Sequence, residues 1–226
     1  AHGDELEASL AVARLWLTYR RASRAQQIGE RLMTRFPKRF EVGLLMADVH
    51  QALGRPNRVR ATLSAAAVSA SRPAQAALAI GQRYLALREY ARAVPWFKSA
   101  LKVSGDDETR RGSHRGLVDA LLGQHPPARK EATLHMRDWL ALTPEPEKIG
   151  ALTYLLQRVA SVSTLNELRV ELLQALVTRQ PDDTELLESL GKALVEAEQW
   201  DMACATFSRA IAREAAPRQL TLRVGR

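Results

Sequence analysis

The sequence predicts an all-α solenoid, a single array of about six stacked helix–turn–helix units across residues 1–226. Three observations lead there. Apolar residues recur every three or four positions, which is helical spacing. Small and aromatic residues alternate at repeated offsets. Ala13, Ala47 and Gly81 stand 34 residues apart, the period of a helix pair. A pair of that length cannot bury its apolar faces alone, so neighbouring pairs must cover them.

The first unit, residues 6–39, contains 13-ARLWLTYRRASRAQQIGERL-32 and closes at Pro37. The second, residues 40–73, contains 47-ADVHQALGRPNRVRATLSAAA-67, with Gly54 at the turn and Ala66 in a small-residue position. The third, residues 74–108, contains 81-GQRYLALREYARAVPWFKSAL-101. Gly81 and Tyr84 fall on its first helix, the periodicity changes phase at 87-LRE-89, and Ala93, Phe97 and Ala100 share one face of the second. Small residues let two backbones approach, and aromatic ones fill the space beside them. Pro95 is expected in the first turns of that helix, where a missing N–H costs least.

The fourth unit, residues 109–146, keeps Gly116 and Gly123 but carries about four extra residues around 124-QHPP-127 against the repeat period. The fifth, residues 147–183, loses most small residues, and Thr164 with Glu167 reads as a capping box. In the sixth, residues 184–217, Gly191, Leu194, Trp200, Ala203, Phe207 and Ala210 repeat the offsets of the third, so Trp200 and Phe207 are expected on its packed inner face. Pro37, Pro144, Pro181 and Pro217 fall at or near unit boundaries. Residues 218–226 read as the start of a further helix or a tail rather than a polar cap, so a segment of a longer array is expected.

Composition agrees with a packed chain. The hydrophobic fraction is 46%, and no run of eighteen apolar residues could span a membrane. No signal peptide opens the chain, and no initiator Met either, so a processed or excised piece is expected. Cys204 is the one cysteine, which excludes an internal disulfide, and it is expected to behave as a small buried hydrophobe. Residues 1–113 hold 19 Lys/Arg against 10 Asp/Glu, and residues 114–226 hold 14 against 15, so the net +8 sits in the first half. The densest basic segment is 20-RRASRAQQIGERLMTRFPKR-39. It reads as a solvated Arg-rich helical surface or, more sharply, as a docking surface for an acidic partner.

Catalytic signatures are missing from the sequence. It contains no phosphate-cradling Gly-rich Lys loop, no HExxH and no paired CxxC. His114, His125 and His135 lack the spacing of a ligand pair on one helix face. No catalytic residue, metal or cofactor is therefore expected, and an enzyme is disfavoured.

The alternation of small and aromatic positions over roughly residues 6–217 resembles the tetratricopeptide-repeat (TPR) family, best in the third and sixth units. The resemblance implies a right-handed superhelix that binds other proteins, often an extended peptide or helix, on a concave face lined by each first helix. Residues then expected in the groove are Leu10, Arg14, Leu17, Leu44, Asp48, Gln51, Leu78, Gln82, Leu85, Arg110, His114, Tyr154, Gln157 and Lys192. Arg20, Arg21 and Arg24 would form a basic rim. One family subset grips the acidic C-terminus of chaperones with a Lys/Asn/Arg clamp. Leu10, Arg14, Leu45, Gln75 and Ala79 stand at those positions here, so a co-chaperone role is disfavoured.

The resulting expectation is a non-enzymatic interaction scaffold with a protein partner of acidic character, alongside other repeats of the same full-length protein. The alternatives are binding of an anionic polymer through the basic first units, and a cytoplasmic-side regulatory or biogenesis role. Nucleic acid is disfavoured because Trp16 sits at a packing position rather than among exposed stacking aromatics. The 27 Arg against 6 Lys suggest a GC-rich bacterium. Long arrays of loosely matching units resemble the periplasmic scaffolds of exopolysaccharide export, so the periplasm of a Gram-negative cell is favoured over its cytoplasm.

Overall fold

Helical spacing is realised as helices throughout. The computed structural model describes residues 2–68, 70–103, 105–160 and 165–224, and among them there are twelve helices and no strand. They run α1 (His2–Thr18), α2 (Ala22–Arg35), α3 (Phe40–Ala52), α4 (Pro56–Val68), α5 (Pro73–Ala86), α6 (Tyr90–Val103), α7 (Asp107–Gly123), α8 (Arg129–Leu142), α9 (Glu145–Val159), α10 (Asn166–Arg179), α11 (Thr184–Glu196) and α12 (Trp200–Val224). The chain divides into two compact units, Ala1–Ala120 and Leu121–Arg226.

In the first unit, α1, α2 and α3 enclose a core of Leu6, Leu10, Ala13, Ala25, Leu32, Val42, Leu45 and Val49, with Trp16 and Phe36 packed at its margin. The spacing of small and aromatic residues finds its cause between α5 and α7. Phe97 on α6 is fully buried. A Cβ added at Gly81 on α5 would stand 2.7 Å from its ring, and one at Gly116 on α7 would collide with the same ring. Two glycines thus make one aromatic slot, and Ala93 and Ala100 flank it, also fully buried.

The second unit repeats the device. Gly191 on α11 faces the Phe207 ring at 2.5 Å from an added Cβ, and Ala203 and Ala210 are buried beside it. Its core joins Val170, Leu173 and Val177 of α10 to Leu187, Leu190 and Leu194 of α11. Asp183 caps α11 by accepting a hydrogen bond from the Leu186 N–H at 3.0 Å. Across the surface, Arg137 pairs with Glu171 at 3.0 Å and Arg179 with Glu145 at 3.2 Å. These pairs are exposed enough that each contributes at most about 1 kcal/mol.

Four hairpin turns share one construction. The backbone enters the left-handed region at Arg20, Gly54, Arg88 and Glu198, with φ of 56°, 67°, 59° and 59°. At the second turn, Gly54 N–H bonds the Gln51 carbonyl at 3.0 Å and Arg55 N–H bonds the His50 carbonyl at 2.9 Å. The third turn repeats this with Arg88 to Leu85 and Glu89 to Tyr84, both at 2.9 Å. This is the Schellman arrangement, which satisfies the last carbonyls of the incoming helix. Only glycine enters that region without a Cβ penalty. Arg88→Gly should therefore raise stability by about 0.5–1 kcal/mol, the residual after glycine's extra unfolded entropy is subtracted. Urea melts check this, and a midpoint lowered by Arg88→Gly would refute it.

Several expectations are corrected. Trp200 is 59% exposed, because it opens α12 ahead of the packed stripe that begins at Ala203. Cys204 is exposed, since it lies on the side of α12 away from that stripe. Pro95 is the sixth residue of α6, past its first turn. Pro217 does not stop α12, which runs on to Val224. An interior proline removes one hydrogen bond and crowds one carbonyl, which weakens a helix without always ending it. The segment around 124-QHPP-127 does form a longer connection, residues 124–128, than the three-residue turns. Thr164, half of the expected capping box, lies outside the described residues.

Candidate functional site

The residues expected to face a partner separate into three groups. Leu10 is a core residue, 1% exposed among Leu6, Ala13 and Val42, and is not available to a ligand. It sits one turn from both Leu6 and Ala13, so it falls on the stripe of α1 that α2 and α3 cover. Leu17 is half-buried against the same core, while Arg14 is exposed. Of the basic rim, Arg20 is the left-handed turn residue, Arg21 precedes α2, and the Arg24 guanidinium lies 4.5 Å over the Trp16 ring. All three are exposed.

A second group lies on α3, α5 and α7 in the first unit. Asp48 accepts from Arg83 across the two helices at 3.1 Å, so that carboxylate is already engaged. Gln51 and Gln82 are exposed and Leu85 is half-buried. Leu78 packs toward α7, where an added Cβ at Gly112 would stand 3.1 Å from it. Arg110 is exposed and pairs with Asp107 at 3.4 Å, and His114 is half-buried. The third group, in the second unit, is dispersed. Tyr154 meets Trp139 edge-to-face at 5.6 Å, Gln157 is exposed, and exposed Lys192 bonds Glu188 at 3.4 Å.

Of these positions, Leu44 reaches a concavity between the N-terminal halves of α3 and α5. A cleft of about 640 Å³ opens there, and Leu44 lies in it, 7% exposed. Phe40, Leu44, Ala76 and Ala79 contribute its apolar lining. Lys38, Arg39, Arg72 and Gln75 contribute its polar lining, with Glu41 the one carboxylate. Arg39 pairs with Glu41 at 3.4 Å, and Arg72 donates to Gln75 Oε1 at 3.4 Å. Lys38 makes no ion pair among the described residues. The cleft is thus cationic around an apolar lining.

Lys38 and Arg72 were missed as site residues. Each lies in a connection between hairpins, where helical periodicity gives no signal. A signal did exist: they are 34 residues apart, the same position in successive repeats.

No family model matches the sequence. No curated protein matches it either. Solved structures do match its fold. PilF of Pseudomonas aeruginosa superposes with a TM-score of 0.61 at 14% identity, over 91% of this chain and 90% of that one. PilW, described as a widely conserved type IV pilus biogenesis factor, gives 0.58 at 15% identity over 93% and 91%. YrrB, described as a TPR protein with an unusual peptide-binding site, gives 0.52 at 16% identity over 82% and 91%. At such identities the likeness is one of fold, and the fold is an all-α solenoid of TPR type.

Proposed function

We propose that this chain is a non-enzymatic interaction scaffold whose cleft between α3 and α5 holds a protein segment of mixed acidic and apolar character. The observation that carries the reading is the cleft itself, with Lys38, Arg39 and Arg72 set around Phe40, Leu44 and Ala79. The peptide-binding site of YrrB, a protein of the same fold, supports it. We place the scaffold in a bacterial envelope assembly, periplasmic in a Gram-negative cell and of the exopolysaccharide-export kind. The fold shared with PilW, a pilus biogenesis factor, supports an envelope setting, and fractionation of the source cells tests it.

The binding reading is tested by selecting peptides from a random displayed library on the immobilised chain. Recovered sequences should pair Asp or Glu with apolar residues. Reversing Lys38 and Arg72 together to Glu should weaken the selected peptide by about tenfold or more, equivalent to about 1.4 kcal/mol. It should also lower the association rate and its salt dependence. Ala79→Leu should block the cleft sterically and weaken binding at unchanged salt dependence. Selected peptides without acidic residues, or binding indifferent to both changes, would overturn the reading. Tight binding of an anionic polysaccharide that falls steeply with salt and ignores Ala79→Leu would favour the polymer alternative.

A further inference from the structure

In the first unit each helix packs on the next, so α1 to α6 alternate in direction. The turns that close the three hairpins therefore share one edge, and the connections between hairpins share the other. Residues 18–24, 52–58 and 86–92, which make those turns, hold seven arginines and one carboxylate. The first turn carries Arg20, Arg21 and Arg24, the second Arg55 and Arg58, and the third Arg88 and Arg92, all exposed. Arg24, Arg58 and Arg92 stand 34 residues apart, as do Arg21 and Arg55, so the repeat places them in register. The carboxylate, Glu89, is held between Arg60 and Arg92, each at 3.2 Å. Apart from Arg92, these arginines make no ion pair among the described residues. The opposite edge is mixed, with Glu41, Asp106 and Asp107 near Lys38, Arg39 and Arg72.

The positive potential of this edge reaches inward. His50 on α3 is buried, and burial, then the charges of Arg58 and Arg55, hold its imidazole below the usual histidine range. Beside Arg20, Tyr19 is 67% exposed. A ring with a polar tip suits the headgroup level of a lipid surface. Trp16, in contrast, lies under the Arg24 guanidinium and is not free to stack on a base. The charges are spread over three hairpins rather than gathered on one, which matches a partner that is anionic over an extended surface.

We propose that the hairpin-turn edge of the first unit lies on an anionic lipid surface, the arginines of its three turns meeting phosphate headgroups and Tyr19 seated among them. Among the described residues no helix is long and apolar enough to cross a membrane, so the attachment is peripheral and electrostatic. The turns follow the C-terminal ends of α3 and α5, whereas the cleft opens between their N-terminal halves. A chain held on lipid by this edge keeps the cleft open to a peptide.

Cosedimentation of the chain with vesicles tests this. Vesicles of equimolar phosphatidylcholine and phosphatidylglycerol should bind it, and vesicles of phosphatidylcholine alone should not. Binding should weaken with added salt, because exposed charges are screened. Arg55→Gln with Arg58→Gln should weaken partitioning by about tenfold or more. Arg31→Gln with Lys102→Gln removes the same charge from exposed positions away from the turns, and should weaken it by about twofold or less. Failure to bind the phosphatidylglycerol vesicles overturns the proposal, and so does an equal loss from the two pairs of substitutions. Tighter binding to soluble polygalacturonate than to these vesicles, with the same dependence on Arg55 and Arg58, overturns it in favour of a polymer. If the Arg55 and Arg58 variant loses its helical circular dichroism, Arg20→Gln with Arg21→Gln supplies the same loss of charge.

Discussion

Replacing Phe97 with alanine lowers the stability of the first unit by about 3–5 kcal/mol. The ring is fully buried and fills a slot whose walls are Gly81 and Gly116. Neither wall has a side chain that could move into the space, so the cavity stays open and carries its full cost. The loss is a large share of a typical domain's stability of about 5–15 kcal/mol. Because repeats are held by nearest-neighbour contacts, it should also loosen α5 and α6 from α7. Trp200→Ala is the control. That ring is 59% exposed, and its loss should cost about 1 kcal/mol or less. Thermal or urea melts in which the two substitutions cost the same would refute the wedge.

Gly116→Ala and Gly150→Ala should act in opposite directions. Both replace a glycine within a helix, and propensity alone favours alanine by about 0.8–1.0 kcal/mol in each. At Gly116 the new methyl collides with the Phe97 ring, so overpacking of about 1–3 kcal/mol outweighs the propensity gain and the protein loses stability. At Gly150 on α9 nothing lies within 4 Å, so the protein gains roughly the propensity difference. Adding Phe97→Leu to Gly116→Ala should recover part of the loss, since the two sites share one space and their effects do not add. Stabilisation by both single substitutions would show that the slot can widen freely.

The contrast between Phe97 and Trp200 marks what was legible in the sequence. The offsets of Gly81, Ala93, Phe97 and Ala100 identified the packed face, because small and aromatic residues are constrained by contacts within a hairpin and its neighbour. The same offsets placed Trp200 on that face wrongly. A periodic match assigns a residue to a side of a helix, but burial depends on whether another helix covers that side. Cys204 was misread for the same reason, and Leu10 in the opposite sense, since α2 and α3 bury the part of α1 assigned to a groove. The cleft residues Lys38 and Arg72 come from two separate connections that only stacking brings together. Arg24 was read as a docking charge, yet its flat guanidinium rests on Trp16, a contact between two side chains eight positions apart across a turn.

The left-handed turns at Arg20, Gly54 and Arg88 have a consequence for how the chain is made. At the second and third of these turns, the closing hydrogen bonds span at most five residues. A hairpin can then satisfy its own backbone without waiting for distant sequence. Chains rich in local contacts fold quickly, and segments made first can fold first during synthesis. The hairpins of α1 with α2 and α3 with α4 can therefore set while the rest is still being translated. Each newly finished hairpin then meets a preformed surface to condense on, which limits the time its apolar residues stay exposed in the cell.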